Sequence, residues 1–414
     1  MTVLRLFFNR GFILSLKVGS MGIKFLFFSI FLPKIISVSD YGNINLLITT
    51  ITFFIFLVGF DFYNFAHRDF INDTKDSIIL KLFNQGLLSV CVFLLLIPIF
   101  YWTLKYNDLP YVFLSLVLLY TEYFGQEIYR LLVLFSKPIL ANVILFFRSS
   151  LWIIALYLLS FYSDFDITIF QILLFWVIGN SSLMMISFMY IFLVEKIKIR
   201  HLKLNLKWIR SGIILSFPFL ISTIALKIIE LSDRYIINYF FSTFEVGIYS
   251  FYSNVSNSLN VFINTAVVIM IYPRILSAFK NNDTLESTKL VKEYKRDMIL
   301  YLLFFVGLIS FLIEPLIQWI GKDAYSSEML TFWVLLIGNV LFNLSLIPHM
   351  ILYAKHKDKQ LFMPVIIACI TNFILNIVLV PYYGILGAGI STFVSFLIVA
   401  IMKYYYTRKL NISL

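Results

Sequence analysis

Residues 211–240 read SGIILSFPFLISTIALKIIELSDRYIINYF: an apolar run followed by four charges, Lys227, Glu230, Asp233 and Arg234. At about 1.5 Å of rise per residue, a helix of this length crosses a hydrocarbon core of about 30 Å. Charges inside such a helix cost free energy against lipid, so they turn toward protein or water. The stretch therefore reads as one member of a bundle of membrane helices with polar groups on its inward side.

The rest of the chain agrees. Of 414 residues, 61% are hydrophobic and 13% charged, and the mean hydropathy is +0.91. A soluble fold of this size needs far more polar surface. Periodicity and length place spans at 11–32, 43–65, 79–102, 110–131, 139–161, 167–194, 209–238, 246–272, 298–320, 327–353, 362–380 and 384–404. The expected fold is thus an all-α polytopic membrane protein of about twelve transmembrane helices. The first span leads straight into further spans, with no cleavage-site pattern after it. Cys91 and Cys369 fall inside spans and read as packing residues.

Most of the 33 lysines and arginines collect in the loops on the side of the two termini, including EKIKIRHLKLNLKWIR at 195–210 and the segment 274–296. The other side holds Lys34, Lys105 and Lys322 among Asp40, Asp108, Asp164, Asp166, Glu245, Asp323 and Glu328. By the positive-inside rule both termini are cytoplasmic, and a net charge of +11 reads as topology and attraction to anionic headgroups, with no nucleic acid partner. Connections are short, the two longest near 195–208 and 275–297. The first of these divides the chain into an expected six-span half at 1–200 and another at 201–414. An echo supports the division: SVSDYGNIN at 37–45 and STFEVGIYS at 242–250 both place an acid and a glycine at a helix mouth, about half a chain apart. Repeated halves are the usual plan of an alternating-access carrier.

No phosphate-loop pattern G-x-x-x-x-G-K-[ST] is present, and His67, His201, His349 and His356 are too scattered for a zinc site or a catalytic triad. The expectation is a protein that is not an enzyme and takes no cofactor and no metal.

Five basic residues are left over once those at the two sides are assigned: Lys17, Lys24, Arg148, Lys227 and Arg234. Lys17 and Lys24 are seven apart on one face; Lys17 is near enough to the cytoplasmic end to snorkel. Lys24 and Arg148 lie deepest and have no acid nearby in sequence, which points to a cavity lining. Glu230 is spaced to neutralise Lys227 or Arg234 on its own helix, and Asp233 with Arg234 reads as an outer ion pair or a substrate contact. Asp61 in span two, with Glu122 and Glu127 in span four, are candidate counter-ions or proton carriers. A surplus of cations over acids suggests an anionic ligand. In span eight Ser250, Ser253, Asn257, Asn260 and Asn264 recur at spacings of three and four, giving one polar face, either a helix–helix contact or a cavity wall. Asn339 and Asn343, and Asn372 and Asn376, repeat the pattern.

Three segments give the chain a family likeness. SDRYIINYFFSTFEVGIYS at 232–250, with Asp233-Arg234 and Gly247-Ile248-Tyr249, TNFILNIVLVPYYGILGAGISTFVS at 371–395, and PKIISVSDYGN at 33–43 resemble the Wzx-type polysaccharide flippases, relatives of MATE exporters and lipid II flippases. The resemblance implies two six-helix bundles related by pseudo-two-fold symmetry around a central cavity, in the bacterial inner membrane. It implies a substrate of undecaprenyl-pyrophosphate-linked oligosaccharide, such as an O-antigen unit for lipopolysaccharide, and partners in the polysaccharide polymerase and the chain-length regulator. A MATE exporter of cations would want an acidic interior, and a lipid II flippase two further spans. The loop HRDFINDTKDS at 67–77 lacks the G-x-x-x-D-[RK] of major-facilitator carriers, and short outer loops disfavour a glycan polymerase.

Overall fold

The structure is a computed structural model that describes residues 15–70, 73–104, 108–135, 137–162, 166–193, 203–281 and 283–409. Arg5, Arg10, Lys105, Asp164, His201 and most of the first long basic segment lie outside the described residues, as do the side chains of Arg68 and Lys75. The described residues hold twelve membrane-length helices: α1 (Ser15–Ile35), α2 (Val38–Gly59), α3 (Lys75–Thr103), α4 (Leu109–Leu134), α5 (Pro138–Tyr162), α6 (Ile169–Leu193), α7 (Leu206–Phe240), α8 (Thr243–Lys280), α9 (Thr284–Ile320), α10 (Met329–Ala354), and the run Asp358–Lys409, which Gly384 divides into α11 and α12. At Gly384 the backbone turns to φ 56°, ψ −136°, a conformation only glycine adopts at ease.

Several helices expose large apolar side chains, as a bilayer requires. Leu94 and Leu95 on α3, Leu303 and Phe304 on α9 and Ile374 on α11 are all exposed. Exposed aromatic pairs close four of the helices: Tyr101-Trp102 α3, Phe161-Tyr162 α5, Tyr239-Phe240 α7 and Tyr382-Tyr383 α11. Rings with one polar edge favour the headgroup level, so each pair suits a helix end at a membrane interface.

Two expected boundaries are corrected. Span two ends at Gly59, because Phe60 and Asp61 take left-handed φ of 52° and 49°; a short helix, Tyr63–Asp69, follows. Asp61 therefore sits in an elbow outside the span. The expected loop at 275–297 is a helical hairpin: α8 runs to Lys280, and α9 starts at Thr284, capped by Asp283, whose side chain accepts from Glu286 N. Its charges obscured an amphipathic pattern in which Ile275, Leu290, Val291 and Tyr294 are buried. Five-residue π segments interrupt α1 (Phe27–Phe31), α5 (Phe147–Leu151) and α8 (Asn264–Val268), each adding a residue to a turn and re-aiming the side chains beyond it.

The chain forms two compact units, one of Met1–Phe28 and Leu47–Ile224 and the other of Ser29–Leu46 and Ala225–Leu414. In the first, Phe62, Ala66, Phe70 and Ile78 make a core at the elbow, joined by Trp208. In the second, Ala225 and Ile229 of α7 pack with Val365 and Ala368 of α11 and Phe396 and Val399 of α12.

The sequence echo has a structural meaning within the second unit. Ser37 caps α2, accepting from Asp40 N at 3.0 Å and donating to the Asp40 carboxylate at 2.6 Å. Ser242 caps α8 the same way, accepting from Phe244 N at 3.1 Å and donating to Glu245 at 2.5 Å. Two turns beginning Ser-x-x-acid are thus two N-terminal caps, each worth about 1 kcal/mol. The glycines two residues further on lie against each other's helix: a Cβ on Gly42 would strike the Thr243 carbonyl, and one on Gly247 the Val38 carbonyl. Side chains at these positions would hold the two helix entries apart.

Candidate functional site

In the first unit, α1, α4, α5 and α6 bring charge together at membrane depth. Glu122 of α4 is buried, and it receives Trp176 Nε1 of α6 at 2.7 Å. Lys24 Nζ lies 3.8 Å from one Glu122 oxygen and Arg148 Nη2 3.6 Å from the other. Arg148 also donates to the Glu122 main-chain carbonyl at 3.3 Å. Two cations thus share one carboxylate, leaving one positive charge in surplus.

Local structure explains the convergence. The π segment of α5 carries Arg148, and Gly125 of α4 leaves the space its guanidinium occupies, since a Cβ there would collide with it. Trp152 and Trp176 stack at 5.3 Å, with Lys24 Nζ 4.3 Å above the Trp176 ring. Arg148 is 9% exposed at its side chain, whereas Lys24 is 35% exposed, so Lys24 is the accessible cation. Lys17, nearer the start of α1, is part-exposed and makes no ion pair among the described residues.

Four further acids of this unit, Asp61, Asp69, Asp73 and Glu127, lie at or beside the elbow. Glu127 pairs with Arg130 on its own helix and accepts from Gln85 Nε2 at 2.9 Å. The Arg130 guanidinium stacks 3.8 Å from the Tyr63 ring. Asp61 is buried and accepts from Thr223 Oγ1 at 2.5 Å. Below it, Lys81 bridges Asp69 and Asp73 at 2.6 Å each, and Trp208 Nε1 donates to Asp69 at 2.7 Å. The Lys81 hydrogen bond, helped by that of Trp208, holds the Asp69 carboxyl below the usual range against a smaller penalty of burial.

In the second unit the charges of α7 separate. Lys227 and Glu230 pair with each other at 2.5 Å and stay part-exposed. Asp233 and Arg234 form no ion pair, which corrects that expectation: consecutive helical residues point about 100° apart. Arg234 turns to α8, meeting Ser250 Oγ at 3.1 Å, Asn254 Oδ1 at 3.2 Å and Ser253 Oγ at 3.4 Å, and it donates to the Glu230 carbonyl at 3.2 Å. Asp233 is 1% exposed and is held by neutral donors from three other helices: the Tyr249 hydroxyl of α8, Asn376 Nδ2 of α11 at 2.8 Å and Thr392 Oγ1 of α12 at 2.6 Å. Asn376 Nδ2 also donates to the Asn372 carbonyl, while Asn376 Oδ1 and Asn372 Nδ2 are buried without a partner.

The polar face of α8 divides. Ser250 and Ser253 serve Arg234. Asn260 joins α10, donating to Asn339 Oδ1 at 2.6 Å and accepting from Asn343, and it also donates to Asn257 at 2.6 Å. Asn257 and Asn264 are exposed. Sequence reasoning missed Asn254, which donates to Tyr41 Oη at 3.0 Å and Asn45 Oδ1 at 3.1 Å; its place four residues after Ser250 and three before Asn257 is the signal that would have found it. It also missed Trp176, which no local pattern marks.

The family model for polysaccharide biosynthesis proteins matches residues 7–279. No curated protein matches the sequence. Among solved structures, the lipid II flippase MurJ in an inward closed conformation superposes with a TM-score of 0.72 at 15% identity, covering 97% of this chain and 87% of that one. An inward-facing multidrug resistance MATE family transporter of the MOP superfamily gives 0.70 at 12% identity, with 96% and 94% covered. A MATE transporter of Vibrio cholerae gives 0.63 at 13%, with 98% and 97% covered. At these identities the likeness is one of fold.

Proposed function

The chain belongs to the polysaccharide biosynthesis protein family, and from that premise we propose that it is a flippase. It moves undecaprenyl-pyrophosphate-linked oligosaccharide repeat units, of the kind used for O-antigen and lipopolysaccharide, from the cytoplasmic to the periplasmic leaflet of a bacterial inner membrane. Both termini are cytoplasmic, and the polysaccharide polymerase and chain-length regulator take the product onward.

One observation carries the reading: Lys24 and Arg148 converge on the single carboxylate of Glu122, and Lys24 stays accessible beside Trp176. A pyrophosphate supplies the negative charge this group lacks, and charge-assisted hydrogen bonds to phosphate are strong at low dielectric. The exposed amides of Asn257 and Asn264 suit sugar hydroxyls without selecting one sugar. A cation exporter of the MATE type is disfavoured by the same surplus of positive charge.

Transport proceeds by alternating access. Of the acids considered as coupling groups, Glu122, Glu127 and Glu230 are each tied to a base, and Asp61, which also has a neutral donor in Thr223, lies in the elbow outside span two. Asp233 has only neutral donors and sits where the family-like motifs meet. We assign it the exchange of a proton or monovalent cation during the cycle. Cells without this gene and without any second flippase should lose long surface glycan and accumulate repeat units facing the cytoplasm, and Lys24→Ala should reproduce the defect at normal protein level. Unchanged surface glycan in such cells would overturn the reading.

A further inference from the structure

The elbow after α2 holds its backbone in a conformation that its sequence does not favour. Phe60 and Asp61 take left-handed φ of 52° and 49°, between the end of α2 at Gly59 and the start of the next helix at Tyr63. Aspartate tolerates this region, but a phenylalanine there is strained, because its Cβ crowds the following carbonyl. Gly59, the residue that could turn freely, is still helical and packs on α4, where a Cβ on it would stand 3.2 Å from the Tyr123 ring. Phe62 is already right-handed, at φ −61° and ψ −26°. Phe60 and Asp61 therefore separate two helices from one: with both turned right-handed, a single helix would run from Val38 to Asp69.

Side-chain contacts, most of them to α7, hold the bent form. The Asp61 carboxylate accepts from Thr223 Oγ1 at 2.5 Å, and the Phe60 ring lies 6.5 Å from that of Phe217. Gly212 leaves the space that the Phe62 and Phe65 rings occupy, since a Cβ there would strike both. On the other side the Arg130 guanidinium of α4 stacks on Tyr63. Phe62 and Asp61 are buried, so the bend is packed in place and is no loose loop. Strain that persists only because its surroundings impose it is the mark of a switch element, one set of contacts away from its relaxed form.

We propose that Phe60 and Asp61 form a two-state hinge, latched in its left-handed form by Thr223, and that unlatching makes α2 continuous with the helix Tyr63–Asp69 during the transport cycle. The proposal rests on the flippase reading for the event that uses the hinge, and on the backbone and its contacts for the two states. In the bent form Asp61 fastens the end of α2 to the first half of α7. In the straight form Asp61 leaves Thr223, and Ala66, fully buried in the bend, comes out of its core with Phe62 and Phe70.

The test uses the full chain in native membranes with Cys91 and Cys369 replaced by serine. Phe60→Gly and Phe60→Ala both remove the ring, but glycine relieves the left-handed strain and opposes the straight helix, whereas alanine favours that helix. The thiol of Ala66→Cys, buried in the bend, should therefore react with a soluble maleimide about tenfold more slowly beside Phe60→Gly than beside Phe60→Ala. This readout needs no glycan, so it stands apart from the flippase reading. Glycan export should likewise be about tenfold slower in Phe60→Gly than in Phe60→Ala at equal protein level. Bridging Asp61→Cys to Thr223→Cys with a short reducible thiol cross-linker should stop export, and reduction should restore it. Equal labelling rates in the two backgrounds would overturn the hinge. Equal export by Phe60→Gly and Phe60→Ala, or undiminished export by the bridged chain, would overturn its part in the cycle.

Discussion

Asn376 of α11 donates to the Asp233 carboxylate of α7 at 2.8 Å, and with Thr392 and Tyr249 it gives this buried acid a shell of neutral donors. A buried carboxylate without a base is held by hydrogen bonds alone and accepts a proton or a cation at little structural cost. Asp233→Asn should keep the chain folded, at a cost of about 1–3 kcal/mol for mismatched donors, and abolish gradient-driven transport. Thr392→Val, which removes one donor, should weaken transport without abolishing it. Glycan export in Asp233→Asn and Thr392→Val strains, measured with and without an imposed ion gradient, checks both.

Among the described residues Glu122 is the only carboxylate that pairs with Lys24 and Arg148, and both cations are positioned by it. Breaking a buried ion pair from one side leaves the other charge stranded, which costs about 3–5 kcal/mol. Glu122→Gln should therefore lower the midpoint of thermal unfolding in detergent sharply. Glu122→Gln combined with Arg148→Met should recover much of the loss, because the stranded charge goes with it. Neither variant should export glycan.

What could be read in the sequence was what repeats locally or carries a motif. The charges of α7, the paired asparagines of α11 and the Ser-Thr of α12 were legible one at a time, and the structure brings Asp233, Tyr249, Asn376 and Thr392 from two quoted segments to one point. The echo at Ser37 and Ser242 was legible as spacing, though its capping chemistry was not drawn from it. Partnerships across helices were not legible. Lys24, Glu122 and Arg148 come from three spans, and hydropathy says which residues cross the membrane but not which face meets which. The α8–α9 hairpin was lost under its own charges, and the π segments leave no periodic trace.

The contact of Gly42 with the start of α8, and of Gly247 with the start of α2, makes a directional prediction. Either glycine changed to alanine forces two backbones apart within a packed unit, at about 1–3 kcal/mol. The double variant should cost less than the sum, since the first substitution already separates the helices. Thermal unfolding of the three variants measures this. Additive losses would mean that the two glycines act independently.

The elbow of the first unit predicts the acid limb of stability. Lys81 and Trp208 hold the Asp69 carboxyl below its ordinary value of 3.8. A carboxylate whose folded value is depressed favours the folded state fully above its unfolded value, and that contribution disappears as the pH falls through the folded value. Unfolding midpoints should therefore be insensitive to Asp69 titration from neutral pH down to about 5, then decline below about 4. Since Asp69 is partly exposed, the effect is small and screened by salt. Asp69→Asn should lower the neutral-pH midpoint slightly and flatten the decline below pH 4. An acid limb of unchanged steepness in that variant would show that the elbow is held by Asp73 and the Phe62 core instead.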